Sequence, residues 1–255
     1  MFDGLLNASL GVYAVTAANA RESSWGWYCD DATGMNIVQG KTMGVCLGDE
    51  FSIKWMENTD AADESSETLQ TQFDVVQREV NKSHVQRFGD LSFVSSPLAT
   101  FLGAEESTVQ SNAVLAGTKG GVPTVDSRDA KLIYLQTRLS ELKGAGSDAT
   151  VEEVTAAQME LAEEEASRVA ATRLFKAVWT RVSGLRAEQM LEKYMPPRRF
   201  DCHRAVLSGA NVQYTDFSLK YHRVVVNLCE MGFAPHAIIE AFATAAGAIA
   251  GVEKA

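Results

Sequence analysis

Histidine, cysteine and proline are scarce in this chain of 255 residues, which holds four, four and five of them. The cysteines fall into two close pairs, Cys29 with Cys46 and Cys202 with Cys229, and the histidines are scattered. Neither arrangement has the ligand spacing of a zinc site, so no metal is expected, while buried thiols stay open on spacing alone. No G-x-G-x-x-G and no P-loop occurs, so no nucleotide cofactor is expected. No basic segment followed by an apolar run stands at the start, so no signal peptide is visible. The most apolar long stretch, 234–252, is broken by His236 and Glu240 and is rich in Ala and Gly, which suits a packed helix better than a membrane span.

Positive charge is also short, 23 Lys+Arg against 33 Asp+Glu, a net charge of -10. The imbalance is local. Residues 1–127 hold 7 basic and 17 acidic residues, whereas 128–255 hold 16 of each. Within the second part, Arg168 to Arg204 carries nine basic and three acidic residues and stands at +6. A basic patch can serve nucleic acid, but one tethered to an acidic region has a nearer partner, so intramolecular docking is expected and nucleic acid is not.

What is present reads as α/β followed by helices. Gly11 to Ala18 has the pattern of a buried strand and runs into Glu22-Ser23-Ser24-Trp25, which places two hydroxyls, an aromatic ring and a carboxylate at a strand's carboxyl end, where α/β sheets bind ligands. A helix is predicted from Asp49, whose carboxylate can cap it, and a second over 67–82 with Leu69, Phe73, Val76 and Val80 on one face. His84 to Val94 alternates as a strand. From 95 to 127 periodicity gives way to Ser, Thr, Gly, Ala and Pro, the composition of a linker. Beyond Arg128, a Leu132-Leu135-Leu139-Leu142 stripe and a Thr150-x-x-Glu153 capping box opening a helix that Gly184 stops predict a helical bundle. Further helices are predicted around Phe217 to Leu228 and from Pro235. Three regions result: 1–94, 95–127 and 128–255.

The run Phe2-x-Gly4-Leu5-Leu6, Val12-Tyr13-Ala14-x-Thr16-Ala17-Ala18-Asn19, Arg21-Glu22-Ser23-Ser24-Trp25 and Gly48-Asp49 resembles the legumain family, the asparaginyl endopeptidases or vacuolar processing enzymes. The likeness continues through Ser83-His84-Val85-x-x-Phe88-Gly89-Asp90 to Asn227-Leu228-Cys229-Glu230. It implies the carboxyl-terminal half of a caspase-like α/β peptidase domain over 1–94, an activation linker over 95–127 and an all-helical prodomain over 128–255. The function implied is part of a cysteine endopeptidase zymogen that cleaves after Asn, less readily after Asp, with the prodomain released in acid. The family's nucleophilic cysteine and its histidine partner match nothing in this sequence, so the chain reads as the later part of such a zymogen, inactive by itself. A non-catalytic peptide-binding or protease-inhibiting protein and an asparaginyl transpeptidase are the alternatives.

The resemblance assigns residues. Asp49 accepts from the amide of a substrate asparagine, Ser23 and Ser24 supply hydroxyls, and Trp25 is a pocket wall or core. Disulfides are implied at Cys29–Cys46 and Cys202–Cys229, the first worth about 3 kcal/mol by loop closure. Oxidised cysteines imply the secretory route to a vacuole or lysosome. Two sequons make Asn81 and Asn7 candidate glycan acceptors, and Asn112 is the candidate self-processing site. His84, in Ser-His-Val, is read as structural and not as a catalytic base.

Overall fold

A computed structural model describes residues 2, 4–29, 37–39, 41–43, 45–103, 124–144, 146–210 and 217–252. In chain order its elements are β1 (Tyr13–Thr16), β2 (Trp25–Trp27), β3 (Ile37–Val38), β4 (Lys41–Thr42), β5 (Gly48–Asp49), α1 (Glu50–Ala61) and α2 (Leu69–Glu79). There follow β6 (Gln86–Gly89), α3 (Ala99–Leu102), β7 (Val125–Asp126), α4 (Ala130–Leu142), α5 (Val151–Ser183), α6 (Phe200–Gly209), α7 (His222–Glu230) and α8 (Pro235–Val252). The chain folds as two compact units, Met1–Tyr134 and Leu135–Ala255.

In the first unit β1 pairs antiparallel with β6, Tyr13 opposite Gly89 and Thr16 opposite Gln86. Gly89 has φ +87°, and a Cβ there would collide with the Val12 carbonyl, so the strand ends on a glycine for steric reasons. The strand β1, paired antiparallel with β6, is half-buried along its length and not fully buried as its apolar run suggests. Phe73, Val76 and Val80 of the second helix and its exit meet Val85, with Val15, Phe51 and Trp55 packed against them. Thr68 caps α2 by accepting from Thr71 N–H at 3.1 Å. Glu50 opens α1 with a buried carboxylate that accepts from the N–H groups of Asn81 and Lys82 at 3.0 and 3.1 Å, tying the end of α2 to the start of α1.

The stretch 95–127, which composition reads as a structureless linker, is not uniform. Leu98 is buried and donates its N–H to the Glu67 carbonyl, and Ala99 donates to Glu64. At the other end β7 pairs with β2. These bonds join residues far apart in sequence, which local composition does not report.

The described residues of the second unit are helices and turns, without strand. Both signals at the ends of α5 hold: Thr150 and Glu153 form the capping box and Gly184 closes the helix at φ +69°. Phe175, Val178 and Trp179 of α5 pack with Val206 of α6, Val224, Val225 and Leu228 of α7, and Ile238, Ala241 and Phe242 of α8. The Trp179 indole donates to the Arg186 carbonyl at 3.0 Å. Asn227, fully buried, accepts from Met195 N–H and donates to the Lys193 carbonyl, which fastens the irregular segment before α6 onto α7.

Two titrating groups make this unit sensitive to acid. Burial pushes the Glu230 carboxyl up, but the N–H groups of Arg198 and Arg199 and the nearby His203 outweigh it and hold it below the usual carboxylate range. Burial, with a contribution from His203, keeps His222 below the usual histidine value. A depressed carboxylate stabilises above its unfolded value and loses that contribution as pH falls through its folded value. A depressed histidine takes up protons more readily when unfolded, so it too favours unfolding as pH falls below the ordinary histidine range. The helical unit is therefore expected to lose stability in two steps between pH 7 and pH 3 in denaturant titrations. His222→Asn should flatten the upper step and Glu230→Gln the lower.

Candidate functional site

The site is built on the sheet β5-β2-β7, all antiparallel, with β2 in the centre. On one side Gly26 lies opposite Asp49 and Trp27 opposite Gly48, and on the other Trp25 lies opposite Asp126 and Gly26 opposite Val125. Side chains alternate along a strand and directly opposed residues share a face. Ser24, Gly26, Asp49 and Ser127 therefore turn to one face, and Ser23, Trp25, Trp27 and Asp126 to the other.

The hydrogen bonds agree with that division. Ser24 Oγ lies 2.9 Å from Ser127 Oγ, and Ser127 N–H donates to the Ser24 carbonyl at 3.1 Å, extending the β2–β7 pairing by one residue. On the other face buried Ser23 donates its hydroxyl to Asp126 Oδ1 at 2.6 Å. Trp25 and Trp27 belong to that second face, where α1 lies: Gly48 sits against the Ile53 side chain, and the Lys54 ammonium is 6.0 Å from the Trp27 ring. Trp25, half-buried, has the Lys82 ammonium 5.9 Å from its ring. The four residues expected to form one pocket thus divide, with Ser24 and Asp49 on the face that α1 leaves and Ser23 and Trp25 behind it.

Asp49 is the last residue of β5 and the cap of α1, its Oδ1 accepting from Ser52 N–H at 3.2 Å. Capping and ligand recognition are compatible, because a carboxylate has two oxygens and about four acceptor positions. The Cys29–Cys46 disulfide forms and covers Gly26: a Cβ at 26 would stand 2.8 Å from Cys46 Sγ and 3.3 Å from Cys29 Sγ. The bridge is thus a fixed wall beside Ser24 and Asp49, and Gly26 is the residue that lets it approach. Chemically this face offers a carboxylate to accept from an amide NH2 and a hydroxyl to donate to an amide carbonyl.

The remaining candidates lie elsewhere. Cys202–Cys229 forms, joining α6 to α7. Asn7 is exposed and accepts from Ser9 N–H, and Asn81 is exposed with its Nδ2 donating to the Glu79 carbonyl. The sequon hydroxyl of Ser83 is buried against the Ala17 carbonyl, so a glycan on Asn81 would have to be added before that segment folds. Asn112 lies outside the described residues. Among the described residues no group of three His, Cys, Asp or Glu side chains gathers as a metal site, and no helix is long and apolar enough to cross a membrane. Sequence reasoning missed Asp126 and Ser127. Their one legible signal was an Asx turn, Asp126 Oδ1 accepting from Arg128 N–H at 2.9 Å.

Residues 1–104 match the model of the Peptidase C13 family. The chain is 32% identical over 251 residues to the vacuolar-processing enzyme delta-isozyme of Arabidopsis thaliana, covering 91% of this chain and 52% of that protein. To the beta-isozyme of the same plant it is 28% identical, covering 97% and 52%. Legumain of Canavalia ensiformis is 30% identical over 142 residues, 53% of this chain and 29% of that protein. The chain spans about half the length of the vacuolar-processing enzymes it matches.

Proposed function

Because this chain belongs to the peptidase C13 family, we propose that it is part of a legumain-type cysteine endopeptidase zymogen that cleaves peptides and proteins after Asn and less readily after Asp. Ser24 and Asp49 read the substrate side chain, Gly26 and the Cys29–Cys46 bridge bound the pocket, and the nucleophile is supplied from outside these residues. The helical residues beyond 127 act as the inhibitory prodomain, docking by charge on the acidic region, and Asn112 is a self-processing site. The vacuolar relatives support a vacuole, and the two disulfides and the two sequons are the grounds for proposing the secretory route, a lysosome as the equivalent compartment, and Asn81 and Asn7 as glycan acceptors.

One observation carries this reading. At the end of the 95–127 stretch the chain returns as β7 and lays an extended backbone along β2, setting Ser127 on Ser24 and Asp126 on Ser23. An extended segment on the edge of a recognition strand is how a peptide substrate is held, and a tethered segment in that place is a blocked site.

The test joins this chain to the amino-terminal half of the Arabidopsis delta-isozyme and measures kcat/KM on Asn peptides. Asp49→Ala is expected to lower it by about 1–3 kcal/mol, roughly 5- to 150-fold, the cost of leaving an amide donor unpaired in the pocket. Asp49→Ser separates recognition from capping, since serine caps a helix nearly as well as aspartate. Its stability should be retained and its activity lost. Full activity in Asp49→Ser would remove Asp49 from the pocket.

A further inference from the structure

The loop that leaves β1 at Thr16 and arrives at Ser23 is held at both ends by two consecutive residues of another segment. At its start the Ser83 hydroxyl donates to the Ala17 carbonyl at 2.6 Å, and Ser83 is buried. At its end Glu22 Oε1 accepts from His84 N–H at 2.7 Å, and Glu22 Oε2 lies 2.8 Å from His84 Nδ1. The same Oε1 also accepts from Asn19 N–H at 2.9 Å, while Asn19 Oδ1 accepts from Arg21 N–H at 2.8 Å. One carboxylate thus gathers the middle of the loop, its end and the Ser83–His84 dipeptide.

The anchor is rigid. Val85, next in sequence, is buried with Phe73, Val76 and Val80, and the residues after it pair with β1 as β6. Register between β1 and β6 already fixes the two strands, so holding the fold together does not require the contacts to Glu22. What they fix is the path of the six residues between the strand and Ser23–Ser24.

We infer that Glu22, Ser83 and His84 are positioning residues that clamp the recognition loop to the core and set the place of Ser23 and Ser24. His84 then has a role, though not as a base: its ring is 77% exposed, and its ring nitrogen faces Glu22 and not the face that carries Ser24 and Asp49. The serine, glutamate and histidine of the two motifs work as one device although 60 residues of chain lie between Glu22 and Ser83. The inference rests on the proposed reading only in calling this loop a recognition loop; the clamp itself is a property of the chain.

Hydrogen exchange on the 255-residue chain tests it. His84→Ala removes an exposed ring and one prong of the clamp, and is expected to speed exchange at the amides of residues 19–27 by about three- to tenfold, the range of one net hydrogen bond. Glu22→Ala should exceed it at the same amides, and Glu22→Ala with His84→Ala should equal Glu22→Ala alone. Protection in α1 and α2 should not change. Unaltered exchange at 19–27 in His84→Ala, or an equal rise across α1 and α2, overturns the clamp. In the joined peptidase His84→Ala should raise KM for Asn peptides with kcat within about twofold, the mark of lost ground-state positioning; a fall in kcat at unchanged KM also overturns it. A joined peptidase that hydrolyses no Asn peptide sinks the proposed function and leaves the exchange result to decide the clamp.

Discussion

Incubated with an Asn-containing reporter peptide, the 255-residue chain is expected to release no product above the uncatalysed rate, and a thiol alkylator is expected to change nothing. A cysteine peptidase needs a thiolate beside a base or cation. The chain's four cysteines are consumed in two bridges, Cys29–Cys46 and Cys202–Cys229, and a disulfide sulfur is not that nucleophile. His84 is turned to Glu22, and buried His203 has its Nε2 3.1 Å from the Glu230 carboxylate, and neither has a free thiol to activate, since even Cys202 beside His203 is in a disulfide. The measurement is fluorescence release with and without iodoacetamide, beside the joined peptidase as the active control. Turnover that the alkylator abolishes would show that one of these cysteines is reduced and catalytic, and the proposed division of labour would fall.

The parts of the fold that were legible in the sequence are those whose cause is local. Asp49 as a helix cap, the Thr150–Glu153 box and Gly184 as a stop each act over one helical turn, and each sits where the pattern put it. The α6 helix was not legible. It follows Pro196-Pro197 and starts after Arg199, which makes no side-chain capping bond, so nothing local announces its beginning. β7 was hidden for a different reason: two residues have no period, and their pairing with β2 is a contact across about a hundred residues. The candidate site shows both limits. Ser24 and Asp49 could be named from motifs, but their separation from Ser23 and Trp25 depends on the register of β2 between β5 and β7, which only the assembled sheet defines. The clamp on Glu22 was likewise present in the sequence as two motifs, without the contact that joins them.

Cleavage in the 95–127 stretch, after Asn112, is expected to leave the helical fragment bound at neutral pH and to release it in acid. Two attachments are at work in the proposed zymogen. One is β7, which starts just after the cut and stays with the fragment, held to β2 by its backbone and by the Ser23–Asp126 and Ser24–Ser127 contacts. The other, proposed from the sequence, is charge: residues 168–204 carry +6 and residues 1–127 carry -10. Carboxylates bound to cations have lowered pKa values, so the ionic attachment is complete above the ordinary carboxylate range and is lost as pH falls through those lowered values. The two attachments can be told apart. Arg198→Glu with Arg204→Glu changes exposed charges and leaves the Arg199 guanidinium on the Cys229 carbonyl, so the fold of the helical unit is spared. That pair should weaken retention at pH 7, and the difference should fade at high salt, since exposed charges are screened beyond about 8 Å at physiological ionic strength. Asp126→Ala with Ser127→Ala should weaken retention with little dependence on salt, because what it removes are short hydrogen bonds. Size-exclusion chromatography of the nicked protein at pH 7 and pH 4 reads both, and co-elution of the fragment at both pH values would exclude charge as the acid-sensitive latch.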